Sequence, residues 1–406
     1  MKINIITAVA PVNIAVIKYW GKRNEDLILP VNDSISVTLS KKEMCAKTSV
    51  ACSEYFECDR MWLNGKIYNI YDNVKIIHRP YVFHHMEQDM QTPRLQRCIA
   101  ELKKRGKNTK VKNFHLHICS ENNFPTAAGL ASSAAGFACL VKALSALYEV
   151  EGDLSEIARQ GSGSASRSIY GGFVHWTAGI NEDGSDSIAQ QIAPKEHWPE
   201  MRAIILVVNA SKKEVSSTKG MQLSVITSSL LNYRTSNIVP ARVKSIKKAI
   251  LEKDFETFAE ITMKESNQFH AICLDTFPPI HYLNSVSYKI ISLMHSYNEF
   301  YGENKVAYTF DAGPNACLYV LEKNVPEIIS LIKTIFLPVH DDASFIKGLN
   351  TYHVSISKML LDSLQITPEP GAIKYIINTQ IGDGPAILSE TGLHLLNEKG
   401  FPLSKC

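Results

Sequence analysis

The sequence predicts an α+β protein in two domains. Three observations carry this expectation. Strand-like and helix-like periods follow one another in mixed order, tight-turn signals join neighbouring strands into hairpins, and a polar, proline-containing stretch at residues 193–200 interrupts the pattern near mid-chain. A doubly wound sheet would instead repeat one strand and one helix throughout. The 406 residues suffice for two to three domains at about 150 residues each. We place the division inside the polar stretch, giving domains 1–197 and 198–406.

The first third reads as strands. Ile35, Val37 and Leu39 alternate with Ser36 and Thr38, the period of a strand with one buried face. Asn64-Gly65 after an apolar run signals a two-residue hairpin. Residues 94–105 place Leu95, Cys98, Ile99 and Leu102 at helical spacing, and Phe114, Leu116 and Ile118 then alternate with His115 and His117 as a strand. A loop at 122–126 leads into a helix over 130–148. Phe137, Val141, Leu144 and Tyr148 form its apolar face, while Ala131, Ala134, Ala135 and Ala138 make another face small. A short helix starts at Asp153, where Glu156 stands at capping-box spacing. Beyond the division, residues 201–209 form a nearly continuous apolar strand. Helical patterns follow at 241–258 and 280–300, a strand-turn-strand at 306–321, a helix at 325–336 and a strand at 373–379.

Hydrophobic residues make up 45% and charged residues 20%, the proportions of a globular rather than a disordered chain. Against 40 Asp and Glu, 43 Lys and Arg leave a net charge of +3 and a pI near 8.2. That is too mild for the footprint of a nucleic-acid binder. Nine cysteines without a C-x-x-C pair fit neither a disulfide framework nor a zinc ribbon, and suit a reducing compartment. Asn4, Thr7, Pro11 and Asn13 break the amino-terminal apolar stretch, which falls short of a secretory signal. No run approaches the roughly 18 apolar residues of a membrane span, and the Cys of the terminal LSKC stands wrongly for prenylation. The expectation is a cytoplasmic protein with neither nucleic-acid nor membrane partners.

Four segments carry chemistry. NFPTAAGLASSAAG at 123–136 follows a strand and opens a helix, so backbone N–H groups and the positive end of a helix dipole face any anion. Gly129 and the alanines admit a phosphate close to the backbone, and Ser132 and Ser133 add hydroxyls for phosphate oxygens or a metal. Close helix packing is the other reading of the same small residues. The loop is not a Walker A motif, since no G-K-[ST] follows. GSGSASRS at 161–168 offers serines and Arg167, which can grip a carboxylate or phosphate bidentately; a turn is the alternative. In NIAVIKYWGK at 13–22, Lys18 sits inside an apolar run, where a buried lysine needs an anionic partner; a solvated edge lysine is the alternative. FDAGPNA at 310–316 sets Asp311 at a strand end, as turn cap or functional carboxylate. The thirteen histidines show no metal spacing, and no G-x-S-x-G elbow supports a hydrolase.

Together with SISVTL, VSSTKGMQ and SNQFHAICLDTFPPI, these segments resemble the mevalonate diphosphate decarboxylase family of the GHMP kinase superfamily, in the family's order from about residue 10 to 384. The resemblance implies a two-domain GHMP kinase fold, with a ribosomal-protein-S5-like N-terminal domain, a ferredoxin-like C-terminal domain and the active site in the cleft between. It implies ATP-dependent decarboxylation of (R)-5-diphosphomevalonate to isopentenyl diphosphate with release of ADP, phosphate and CO2, ATP and Mg2+ as cofactors, and a homodimer. A superfamily kinase without decarboxylation and a catalytically silent metabolite sensor are the alternatives.

By motif position, the resemblance assigns Asp311 as the catalytic carboxylate, Lys18 as the nearby cation, Arg167 as the grip on the substrate carboxylate and Asn13 as its orienter. Tyr19, Lys22 and Arg94 fall to the diphosphate, and Trp20 and Gly21 to the substrate. Ser162, Gly163, Ser164, Ala165 and Ser166, with Ser217 and Thr218, fall to the rest of the substrate. Ala127, Ala128, Gly129, Leu130, Ala131, Ser132, Ser133 and Gly136 fall to ATP, Ser133 also contacting the metal. Two departures stand out. Ser166 replaces the family's Cys, a near-isosteric change, and the segment 66–92 is longer than the family's connection, an excursion expected to lie on the surface.

Overall fold

The computed structural model describes residues 3–68, 92–124, 132–208, 213–338 and 344–403. Ala127, Ala128, Gly129, Leu130 and Ala131 of the small-residue loop, and the stretch 69–91, lie outside the described residues. Mixed helix and sheet bear out the α+β reading. A six-stranded sheet runs in the order Ala386–Leu388, Asn4–Pro11, Cys45–Ser53, His115–Asn122, Arg60–Leu63, Lys66–Tyr68. Asn64-Gly65 joins its last two strands, with Leu63 opposite Lys66. The helix Ser132–Tyr148 packs across Asn4–Pro11 and Cys45–Ser53, where its small alanines let it approach closely.

A second sheet orders Ala189–Ala193, Phe173–Trp176, Ser34–Thr38 and Asn13–Ile17, all antiparallel. Alternation predicts one exposed face for Ser34–Thr38, yet every residue of that strand is buried. Two of the three hydroxyls on its polar face find backbone partners, Ser34 Oγ donating to the Ile17 carbonyl and Thr38 Oγ1 to that of Tyr170, while Ser36 Oγ is buried with no partner among the described residues. The third sheet orders Val306–Phe310, Ala316–Leu321, Met201–Val207, Tyr375–Gln380 and Ile346–Gly348, with only the last pair parallel. The helix Phe255–Asp275 lies on Val306–Phe310 and also reaches Asn13–Ile17 of the second sheet.

Three local readings change. The pattern at 241–258 is two helices, Val239–Glu252 and the start of Phe255–Asp275; Lys253 turns left-handed at φ 56° and Asp254 caps the second by accepting from Thr257 N–H. The pattern at 280–300 begins only at Ser285, where Asn284 and Ser287 form a reciprocal capping box. No side-chain cap forms at the start of Ser155–Gly161. Asp153 instead accepts from Ser155 and the Tyr170 hydroxyl, and Glu156 reaches out to Arg105 at 2.7 Å. A tertiary cation took the carboxylate that the local box needed.

Candidate active site

The three sheets meet at a cleft lined by Asn13, Lys18, Tyr19, Trp20, Lys22, Arg94, Ser132, Ser133, Gly136, Ser162, Gly163, Ser164, Arg167, Ser217, Thr218 and Asp311. Residues from six separate segments of the sequence therefore share one space. Gly21, Ala165 and Ser166 are not on its wall. Ser166 spends its hydroxyl on the Gly163 carbonyl at 2.7 Å, within the short helix Ala165–Ser168. Gly21 turns the chain at φ 97° behind the cleft, packed against Val225 and Leu231.

Lys18 is 3% exposed, and its Nζ donates to Asp311 Oδ1 at 2.6 Å. The anionic partner demanded by a lysine in an apolar strand is thus supplied from the third sheet, 293 residues away in sequence. Its backbone is held as firmly. The Lys18 N–H donates to Glu265 Oε2, and its carbonyl accepts from Asn32 Nδ2 and Arg234.

Arg167 is buried, and its Nε donates to Asn13 Oδ1 at 3.2 Å. Asn13 is itself locked, its Nδ2 donating to Ser168 Oγ and the Ser164 carbonyl. The guanidinium lies over the Trp176 ring, 5.6 Å from its centroid. Burial pushes the Arg167 pKa down to about 10, with Asp311 opposing, so the group stays cationic at neutral pH. Its Nη1 has no hydrogen-bond partner among the described residues. A buried, charged, unsatisfied donor on a cleft wall is costly unless a ligand completes it.

Beside it, Ser162 Oγ lies 3.4 Å from Ser133 Oγ and 3.5 Å from Ser164 Oγ, a hydroxyl row from the helix Ser132–Tyr148 to the arginine. Tyr19 stacks edge-on against Trp176 at 4.8 Å, and its hydroxyl lacks a partner among the described residues. Burial raises the Tyr19 pKa, while Arg94, Arg167 and Arg159 pull it down. Lys22 Nζ is paired with Glu25 at 2.6 Å. Lys213, which sequence reasoning passed over, lines the cleft and donates to Ser217 Oγ at 2.7 Å.

Among the described lining residues, Lys18, Lys22, Arg94, Arg167 and Lys213 face a single carboxylate, Asp311. Such a field suits a ligand with several negative charges. The described residues hold no cluster of three His, Cys, Asp or Glu for a metal. The hydroxyls of Ser132 and Ser133 at a helix start nonetheless fit Mg2+, which takes few protein ligands and completes its shell with water and phosphate oxygens.

Sequence reasoning also missed Glu265, wholly buried between Arg234 and Arg242, each at 2.5 Å. Burial would raise its pKa, but the two guanidiniums more than offset this and hold the carboxyl below its usual range. Phe258, Thr262, Glu265 and Phe269 fall at helical spacing, and that period was the available signal of a buried carboxylate.

Sheets and helices together define an α+β protein of the GHMP type, with a cleft rich in basic side chains. Family profiles agree with that class: a diphosphomevalonate decarboxylase-like N-terminal domain matches residues 10–189, and a mevalonate 5-diphosphate decarboxylase C-terminal domain matches 203–388. A diphosphomevalonate decarboxylase of Danio rerio is 52% identical over 98% of this chain and 97% of its own length. The solved mevalonate diphosphate decarboxylase from Trypanosoma brucei superposes with a TM-score of 0.84 at 37% identity, covering 97% of this chain and 100% of that one. A solved complex of MDDEF with MVAPP, AMPPCP and magnesium superposes at 0.71 and 29% identity, over 96% of this chain and 100% of that one. The chain belongs to the diphosphomevalonate decarboxylase family.

Proposed function

We propose that the cleft carries out its family's reaction, the ATP-dependent decarboxylation of (R)-5-diphosphomevalonate to isopentenyl diphosphate, through the residues placed above. The observation that carries the reading is the Lys18–Asp311 pair at 2.6 Å beside an Arg167 with an unsatisfied Nη1. A tertiary alcohol is a poor nucleophile, so a carboxylate must accept or orient its proton; Asp311 is the carboxylate on the cleft wall. Lys18 holds that carboxylate in place and presents positive charge to the transferring phosphoryl group. Bound Mg2+, held by Ser133 and the nucleotide phosphates, would neutralise phosphate charge. The start of the helix Ser132–Tyr148 receives the ATP phosphates.

Phosphorylation turns the C3 hydroxyl into a leaving group. As phosphate departs, the electrons of the bond to the carboxylate carbon collapse toward C3 and CO2 leaves. Arg167 grips that carboxylate and, staying cationic, holds it ionised for the collapse. Tyr19, Lys22 and Arg94 receive the diphosphate, for which Lys22 has to share its contact with Glu25. Ser217 and Thr218 close the cleft from the second half. The same reading takes 1–197 and 198–406 as the two domains, a homodimer as the assembly and the cytoplasm as the compartment. In support of the last, no helix among the described residues is long and apolar enough to cross a membrane, and the described cysteines are free thiols.

The test is product analysis with ATP and the diphosphorylated substrate. The expected outcome is equal release of ADP and CO2; ADP alone would mark a kinase, and neither a sensor. Asp311→Asn should keep ATP affinity and lower turnover by about 10² to 10⁴-fold. Near-normal single-turnover ADP formation by that variant would remove Asp311 from the chemistry.

A further inference from the structure

Lys18 and Asp311 directly follow strands of different sheets, and the backbones of Lys18 and of the residue before Asp311 are tied to the same helix. Glu265 Oε2 accepts from the Lys18 N–H at 3.1 Å, and Ser266 Oγ accepts from the N–H of Phe310, the residue before Asp311, at 3.0 Å. Adjacent residues on a helix point about 100° apart. One turn of Phe255–Asp275 can therefore hold two chains on different sides, and this helix packs on both Val306–Phe310 and Asn13–Ile17. Both anchors are buried, Glu265 at 0% and Ser266 at 1% exposure. Glu265 is fixed in turn by Arg234 and Arg242, and Arg234 also donates to the Lys18 carbonyl. The peptide units on both sides of Lys18 are thus clamped.

We propose that Glu265 and Ser266 are positioning residues, and that the helix carrying them sets the separation of Lys18 and Asp311. Neither residue lines the cleft, so neither meets substrate. The inference rests on the reading of Lys18 and Asp311 as the reacting pair. Its physical core is that a misplacement of about 1 Å at a catalytic group can cost around 100-fold in rate.

Glu265→Gln alone and combined with Lys18→Met, and Ser266→Ala alone and combined with Asp311→Asn, test it by steady-state CO2 release from the full chain, with thermal melting to confirm folding. The expected result is a kcat lower by about 10- to 100-fold with KM within about threefold, because ligand contacts are untouched. In the background that lacks its own target, Lys18→Met for Glu265→Gln and Asp311→Asn for Ser266→Ala, the same substitution should cost no more than about a further twofold, since its effect passes through that target. A folded Glu265→Gln enzyme with kcat within about twofold of the parent overturns the proposal, as does a loss that multiplies undiminished onto Lys18→Met. Should Glu265→Gln fail to fold, Ser266→Ala, which adds no unpaired charge, decides by the same two criteria with Asp311→Asn in place of Lys18→Met. An undiminished rate in Lys18→Met by itself would instead sink the assignment of the reacting pair.

Discussion

Arg167 shows how a side chain is kept both buried and unsatisfied. Asn13 takes its Nε, Trp176 covers its face, and Nη1 is buried without a partner among the described residues. Lysine at this position keeps the charge and loses the planar fork. Arg167→Lys should therefore lower kcat as well as raise KM, because a carboxylate held by one bond no longer aligns its breaking bond with C3. Steady-state kinetics decide this, and unchanged constants would mean that charge alone suffices. His270 gives a second prediction. Burial, aided by Lys18, pushes its pKa down to about 3 from 6.5, so the folded protein holds it neutral where the unfolded chain would protonate it. Stability from this source is complete above about pH 6.5 and lost as pH falls toward 3. His270→Asn should flatten the acid limb of the stability curve by up to about 1.4 kcal/mol per pH unit. Parallel limbs in denaturant melts of parent and variant between about pH 4 and 6 would contradict it.

At the scale of elements, the turn between the helices Ser155–Gly161 and Ala165–Ser168 builds the serine wall, and Gly163 makes it possible. A Cβ there would stand 2.8 Å from the Trp176 ring and 2.9 Å from that of Tyr19. Neither ring can yield easily, since Trp176 is wholly buried and the two pack edge to face. Gly163→Ala should cost about 1–3 kcal/mol of stability through overpacking. It should also raise KM by displacing Tyr19 and the neighbouring Ser162 and Ser164. Melting and substrate titration read the two effects separately; a wild-type KM would show that the wall moves as a unit.

At the scale of the whole molecule, the chain closes on itself. Ala386–Leu388 pairs with Asn4–Pro11, Leu388 opposite Thr7, and Leu395 and Leu396 then bury themselves against Ala51, Trp62 and Cys119. The chain around residue 198 is likewise packed rather than loose: Trp198 is 2% exposed and meets Phe173, Phe255 and Phe258. Leu396→Ala should destabilise the protein by about 2–5 kcal/mol, the cost of a large-to-small change in a core. Turnover of the surviving folded enzyme should stay near normal, because Trp62 and Cys119 alternate along their strands with the lining residues Met61, Leu63 and Ser120, so the cluster lies on the opposite face of the sheet from the cleft. A loss under about 0.5 kcal/mol in chemical denaturation would mean that the tail docks weakly.

Sequence alone determined the local and the chemical parts of this protein. Asn64-Gly65 set a hairpin, the periods at 94–105 and 325–336 set helices, and a lysine in an apolar run, if buried, needed an anionic partner. Those features depend on neighbours in the chain or on the cost of burying a charge, and both are visible in one dimension. The break at Lys253 was legible only in the capping signature of Asp254 and Thr257, which a continuous apolar period masked. Which carboxylate answers Lys18, that Ser166 turns away from the cleft, that Glu156 leaves its cap for Arg105, and that Glu265 reaches the Lys18 backbone were decided by tertiary structure. Each depends on contacts between residues tens to hundreds of positions apart, and packing, not local preference, selects among the partners that charge and hydrogen bonding would equally allow.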